Sequence, residues 1–218
     1  GGFRFLGSED AGLGDADANA YRADVSLAFA DLFEHGRGRL SFYAQWLDAG
    51  YSAPGLSALT ETQQFGGSFG MQLTERIRLG AKADRRVEKD GLETTSQEVD
   101  IGYQLTEQLS VSTGIRNELR EDNSPVVPAT QEEGDRTDAA VTVDFDSKGR
   151  WRGYGFAQAP LSKTGDREDN TRFGVGGAYR INDRMLYEGE VSHGDLGPAG
   201  KFGMEFQESE STQHYLSY

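Results

Sequence analysis

The sequence predicts an all-β fold, an antiparallel up-and-down transmembrane β-barrel, and three observations predict it. Apolar and polar residues alternate with period two through most of the chain. Very short connections alternate with longer polar ones. No stretch approaches the roughly 20 consecutive apolar residues of a membrane-spanning helix, and strands that hide apolar residues in alternation escape that requirement.

The alternation starts at Tyr21. Tyr21, Ala23, Val25, Leu27 and Phe29 share one face, while Arg22, Asp24 and Ser26 occupy the other. Leu40, Phe42, Ala44 and Trp46 then oppose Arg39, Ser41, Tyr43 and Gln45. Phe65, Gly67, Phe69, Met71 and Leu73 follow, and Ile77, Leu79, Ala81 and Ala83 oppose Arg78, Lys82 and Asp84. Val99, Ile101, Tyr103 and Leu105 face away from Glu98, Asp100 and Gln104, and Leu109, Val111, Thr113 and Ile115 from Ser110, Ser112 and Arg116. Ala139, Val141, Val143 and Phe145 oppose Asp138, Thr142 and Asp144. Phe173, Val175, Gly177, Tyr179 and Ile181 oppose Arg172 and Arg180. Met185, Tyr187 and Val191 oppose Glu188 and Glu190, and Phe202, Met204 and Phe206 oppose Glu205 and Gln207. Trp151 to Ala159 stays ambiguous, because Tyr154 and Phe156 share a face with Arg152. A helix would need apolar residues at three- and four-residue steps, and each interior glycine would cost it about 1 kcal/mol.

Tight turns are expected at Thr74-Glu75-Arg76, Thr106-Glu107-Gln108, 146–149 and Asn182-Asp183-Arg184, with somewhat longer ones at 34–38 and 208–211. Longer polar loops are expected at 48–62, 87–96, 120–136, 160–170 and 194–200, and they hold all five prolines. The pattern puts short turns at one end of the sheet and long loops at the other, as in barrels with short periplasmic turns and longer extracellular loops. Gly70-Met71-Gln72-Leu73-Thr74-Glu75-Arg76 recurs as Gly102-Tyr103-Gln104-Leu105-Thr106-Glu107-Gln108, and more loosely as Ala178 to Arg184. The period of about 32 to 40 residues holds two strands of about ten residues, whereas a propeller blade needs four short ones.

The formal net charge of -14 argues against nucleic acid as a partner, since phosphate binding needs a basic surface. The absence of cysteine removes disulfide, thiol and Cys-type zinc chemistry. The sequence opens on Gly1-Gly2-Phe3 without a signal peptide, so a processed chain or an excerpt is expected.

Alternation alone does not say whether the apolar face meets lipid or a protein core. Charges of both signs on nearly every polar face suit a watery lumen. Aromatic residues near strand ends (Tyr21, Phe33, Trp46, Phe65, Tyr103, Phe145, Tyr179, Phe206) suit interfacial girdles. Small mid-strand residues such as Ala23, Ala44, Gly67, Ala81 and Gly177 make a poor core but a tolerable lipid surface. On these residues and the Leu-Thr-Glu-Arg turns, the chain from about Tyr21 to Phe206 resembles the bacterial outer-membrane β-barrel superfamily. In particular it resembles repetitive hairpin barrels attached to large surface proteins. The resemblance implies a diffusion pore or an anchor for surface domains, and only rarely a surface enzyme.

One domain over 1–218 is expected, of about twelve strands. Phe3 to Leu6 and Gln213 to Tyr218 read as strand stubs running the same way; because closure needs an even strand number, the expectation is a fragment of a larger barrel. The lumen-facing candidates are Arg22, Asp24, Arg39, Lys82, Asp84, Arg86, Glu98, Asp100, Arg116, Glu118, Arg152, Glu188 and Glu190. They would either pair across strands and rigidify the wall or set ion preference. The lipid-facing candidates are Val25, Leu27, Phe42, Trp46, Phe69, Leu79, Val99, Ile101, Val111, Val141, Val143, Val175 and Tyr179.

Other constellations are discounted. His35, His193 and His214 have no metal spacing and read as exposed polar residues. Ser192, His193 and Asp195 do not form a triad, because neighbours on a strand point to opposite faces. Gly174, Gly176 and Gly177 lie inside a strand, where they ease curvature and form no phosphate loop. Asp15, Asp17 and Asn19 imitate the start of a calcium loop, but Ala20 replaces the turn glycine and Ser26 the bidentate glutamate. An acidic loop with at most weak calcium affinity is expected, and Gln131 to Asp135 reads as a solvated loop. No catalytic group, cofactor or nucleic-acid partner is expected. The expected partners are membrane lipids, lipopolysaccharide and further strands or chains completing the barrel, in a bacterial outer membrane. The alternative is a soluble all-β binding protein.

Overall fold

The computed structural model describes residues 18–31, 37–53, 56–125, 133–207 and 213–217. The period-two segments are strands: β1 (Ala20–Ala28), β2 (Gly38–Leu47), β5 (Thr62–Gln72), β6 (Ile77–Glu88), β7 (Leu92–Gln104), β8 (Leu109–Asp122), β9 (Gly134–Asp146), β10 (Trp151–Lys163), β11 (Arg172–Asn182), β12 (Met185–Gly194), β13 (Gly197–Gln207) and β14 (Gln213–Ser217). They make one 12-stranded sheet in chain order, and β1 and β14 each have one neighbour in it. Between β2 and β5, two short strands, β3 (Ser52–Ala53) and β4 (Leu56–Ser57), pair with each other. A single 3-10 turn, Phe29–Asp31, follows β1. Of the two stubs, Gln213 to Ser217 is β14, while Phe3 to Leu6 lies outside the described residues.

The chain divides into two compact units, residues 1–99, 116–137 and 162–167, and residues 100–115, 138–161 and 168–218. In the first unit the register stacks like on like. Val25, Phe42, Gly67 and Ala83 lie in one cross-strand row, and Leu27, Leu40, Phe69 and Ala81 in the next. Large side chains sit beside small ones along these rows, which lets the phenyl rings spread over the neighbouring strand. In the second unit Trp151, Tyr179, Tyr187 and Met204 form one apolar row and Gly155, Val175, Val191 and Gly200 another.

Among the described residues nothing packs over these apolar rows. Phe42, Val99, Val175 and Val191 are 52%, 55%, 59% and 64% exposed. Among the described residues the buried apolar side chains are Ala20, Leu47, Tyr51, Ala58 and Ala178. The first four form a small cluster where the 48–61 connection folds against the ends of β1 and β2, held by Gly50 N–H donating to Ala58 O and Ala58 N–H to Tyr51 O. A soluble domain of this size would show a far larger buried core.

Several strands run further than the hydropathy pattern alone suggests. β6 continues to Glu88 and β7 starts at Leu92, so the expected 87–96 loop is a tight turn over 89–91, with Asp90 at φ 52°. Likewise β12 and β13 leave only Asp195 and Leu196 between them, and Pro160 and Pro198 lie in strands. The apolar residues stop short of the strand ends, whereas backbone pairing continues through Glu, Thr and Ser. Strands β7, β9 and β10 have 13 residues and β8 has 14, beyond the 9–11 that cross hydrocarbon.

The repeated turn sequence has a local cause. Thr74 Oγ1 accepts from the N–H groups of Arg76 and Ile77 (3.2 and 3.0 Å) while Gln72 Nε2 donates to Thr74 O (2.7 Å). Thr106 does the same for Gln108 and Leu109 (3.2 and 3.0 Å), with Gln104 donating to Thr106 O (2.6 Å). Asn182 serves the looser copy by accepting from Arg184 N–H at 2.9 Å.

Candidate functional site: the charged face

Opposite each apolar row the strands carry a polar row, and its groups bind one another. In the first unit Arg22 donates through Nε and Nη2 to Asp24 (2.8 and 2.9 Å) and through Nη1 to Gln45 (2.9 Å). Its guanidinium lies 5.2 Å from the Tyr43 ring. Gln64 donates to Tyr43 Oη at 3.0 Å and to both Asp84 oxygens at 3.1 and 3.2 Å. Ser26 and Ser41 hydrogen-bond at 3.2 Å, Lys82 pairs with Glu98 at 3.8 Å, and Arg86 pairs with Glu88 at 2.8 Å. A depression of about 590 Å³ opens among Asp24, Arg39, Lys82, Asp84, Glu98 and Arg116, with Val25, Phe42, Gly67 and Ala83 also lining it.

Nearby in the same unit, three guanidiniums converge on one carboxylate. Glu118 accepts from Arg116 at 2.8 Å and from Arg120 and Arg167 at 2.9 Å each. Glu118 is 7% exposed and Arg167 3%. Arg116 and Glu118 were expected on this face; Arg167 was not, because it belongs to the connection after β10 and lies 49 residues away in sequence. No local pattern marks it.

In the second unit Glu190 is the shared acceptor. Tyr154 Oη donates a short hydrogen bond to it, and Arg172 and Lys201 approach at 3.2 and 3.3 Å. Arg172 also donates to Ser192 Oγ at 2.8 Å and lies 5.5 Å from the Phe156 ring. The ambiguous segment is thereby settled: Tyr154 and Phe156 belong to the polar face, beside Arg152. Gly176 and Gly174 are what let them lie there. A Cβ on Gly176 would stand 2.5 Å from the Tyr154 ring, and one on Gly174 2.8 Å from Phe156. Gly176→Ala should therefore cost about 1–3 kcal/mol by forced overlap. Paired with Tyr154→Ala the loss should be far from additive in a thermal-unfolding double-mutant cycle. Additive losses would refute the overlap.

The remaining candidates fall into place by register. Arg152 and Glu188 lie in one cross-strand row through Ala178, Arg39 shares the alternation of Tyr43 and Gln45 along β2, and Asp100 follows Glu98 by two residues along β7. Of the apolar candidates, Leu27, Phe42, Trp46, Val99, Ile101, Val141, Val143, Val175 and Tyr179 are exposed. Val25, Phe69, Leu79 and Val111 are half-buried among their row neighbours.

Toward the long connections, the apolar face of the first unit gives way to polar pairs. Arg85 binds Glu93 at 2.6 Å and lies 6.0 Å from the Phe65 ring. Asn117 donates to Asp135 and Thr137 at 2.6 and 3.0 Å.

The discounted constellations stay apart. Ser192 is on the polar face with Arg172, while His193 is exposed on the other face, its ring 6.0 Å from Phe173. Asp195 accepts from Thr171 N–H. Asn19 is engaged with Asp48, at 2.9 Å from its N–H and 3.2 Å from its amide; Asp15, Asp17 and His35 lie outside the described residues.

No protein-family model and no curated protein matches the chain. Among solved structures it is similar to the NanC porin, at 12% identity and a TM-score of 0.52, over 87% of this chain and 93% of that one. It is similar also to the toluene transporter TodX of Pseudomonas putida, at 11% identity and a TM-score of 0.50, over 91% and 76%. The chain has the fold of the outer-membrane β-barrels.

Proposed function

We propose that the chain spans the bacterial outer membrane as a porin-like channel. The Val/Leu/Phe rows meet hydrocarbon and the charged rows line an aqueous lumen. One observation carries the reading: bulky apolar side chains stand exposed on one face, while the other is laced with hydrogen-bonded charges. A soluble binding protein would invert that arrangement. The wall ions stay partly hydrated, with the Lys82, Arg86 and Lys201 side chains 67%, 51% and 64% exposed, as a water-filled lumen requires. The polar pairs Arg85–Glu93 and Asn117–Asp135 would mark the outer boundary of the hydrocarbon, with lipopolysaccharide as the outer-leaflet neighbour.

The lumen-facing role of Arg22, Arg39, Asp100, Glu118, Arg152, Glu188 and their row neighbours belongs to this reading, as does the lipid-facing role of Val25, Val111 and theirs. The reading assigns no catalysis. Attachment to a large surface protein, or completion by further strands or chains, is compatible with the same wall.

Reconstituted into planar bilayers, the full protein should give stepwise conductance. Insertion without steps would replace the channel by a membrane anchor, and recovery in the aqueous fraction without detergent would defeat both. Because Lys82 and Arg86 are hydrated wall cations, reversing both to Glu should raise the cation-to-anion permeability ratio by about twofold or more, read as reversal potential. An unchanged potential would remove them from the ion path.

A further inference from the structure

The apolar face of the first unit is not uniform. Ala81 and Ala83 form the floor of a groove of about 670 Å³, walled by Phe65, Phe69 and the Phe42 ring beside Gly67 on one side and by Thr95, Gln97 and Val99 on the other. The register explains the depression: Phe42 pairs with Gly67, so its ring leans into the space over that glycine, while Gly67 pairs with Ala83 and Phe69 with Ala81, which leaves the neighbouring strand as a floor with little side-chain bulk. From Phe69 to Phe65 the groove follows four residues of strand, about 14 Å at ~3.4 Å per residue. At its end toward the long connections stands Arg85, one row past Ala83. Arg85 spends one N–H group on Glu93, and its side chain is 47% exposed. A guanidinium carries five donors, enough to hold a phosphate beside that carboxylate.

We propose that this groove is a specific lipid site, taking one acyl chain of lipopolysaccharide over Ala81 and Ala83 with a lipid A phosphate on Arg85. The inference rests on the membrane orientation given above. Three points favour this occupant. The groove is continuous with the face assigned to hydrocarbon. Of the two cations among the described residues that line it, Lys82 belongs by alternation to the polar face and pairs with Glu98, whereas Arg85 is on the apolar face at the end of the groove, as one headgroup with a trailing chain requires. And that end is the one assigned to the outer leaflet, where the phosphorylated glycolipid resides. Arg85 is also held against the Phe65 ring, so the phosphate partner is positioned before a lipid arrives.

The test is native mass spectrometry of the full protein in detergent with diphosphoryl lipid A added, and phosphatidylethanolamine in parallel. Wild type should retain one lipid A per chain. Ala83→Leu, which fills the floor, and Arg85→Ser, which removes the phosphate partner, should each lower the bound fraction at least fivefold. Heat-modifiable electrophoretic mobility and membrane fractionation of both variants should match wild type. Unchanged retention in both variants, or equal retention of phosphatidylethanolamine, would overturn the site while leaving the membrane reading intact. Failure of wild type to fractionate with membranes would instead remove the orientation on which the site depends.

Discussion

Val141→Arg should cost about 2–4 kcal/mol in folding into a bilayer, whereas Thr142→Arg, one residue on, should cost less than about 1 kcal/mol. The two positions are adjacent on β9 and differ in the face they occupy. Val141 is 42% exposed on the apolar face, in mid-strand, with Val143 and Phe145 following on the same side. Thr142 lies on the alternate face with Asp138 and Asp144. In water an exposed valine tolerates arginine within about 0.5 kcal/mol, so a soluble protein would show no contrast, or one of opposite sign. In hydrocarbon the guanidinium must be dehydrated or must thin the bilayer to reach water, and both are costly. The measurement is urea-dependent folding into lipid vesicles followed by tryptophan fluorescence, Trp46 and Trp151 both standing exposed on the apolar face. Equal costs at the two positions would end the assignment of that face to lipid.

How much of this arrangement could be read from the sequence follows from what alternation encodes. The side a residue occupies is set by parity, so Arg22 and Asp24 against Val25 and Leu27 needed no structure. The turn at Thr74 was equally local, its hydroxyl capping N–H groups two and three residues on. Parity leaves the face undecided where Tyr154 and Phe156 share a side with Arg152. Tyr154 and Phe156 looked ambiguous because their placement depends on glycines 18 to 22 residues away that become cross-strand neighbours. The strand ends were illegible for a different reason. Beyond the apolar belt both faces are polar, so hydropathy no longer distinguishes a paired strand such as 92–96 from a loop, although the ladder continues. Arg167 was out of reach altogether, because its role depends on the return path of a connection.

That connection supports the second large effect: Glu118→Ala should destabilise the protein by about 3–5 kcal/mol, and Glu118→Gln by less. Glu118 is nearly buried and is the common acceptor for Arg116, Arg120 and Arg167. Removing the carboxylate sets three like charges around a site with little water to screen them, whereas glutamine keeps an acceptor and loses only the charge. The effect should be largest where Arg167 is anchored. Residues 164–166 are tied to 133–135 by Thr164 N–H to Asp135 O at 2.8 Å and Asp166 N–H to Glu133 O at 2.9 Å. Gly165 at φ +66° and Gly134 at φ +124° meet so closely that a Cβ on either would collide with the other strand's backbone. Those backbone contacts fix the path of the connection, and the Arg167–Glu118 pair fixes its approach to the wall. Limited proteolysis and amide exchange should accordingly report opening at 164–171 in Glu118→Ala under conditions where the β5–β6 ladder stays protected. Opening spread evenly over the sheet, or none at all, would mean that Glu118 does not hold the connection.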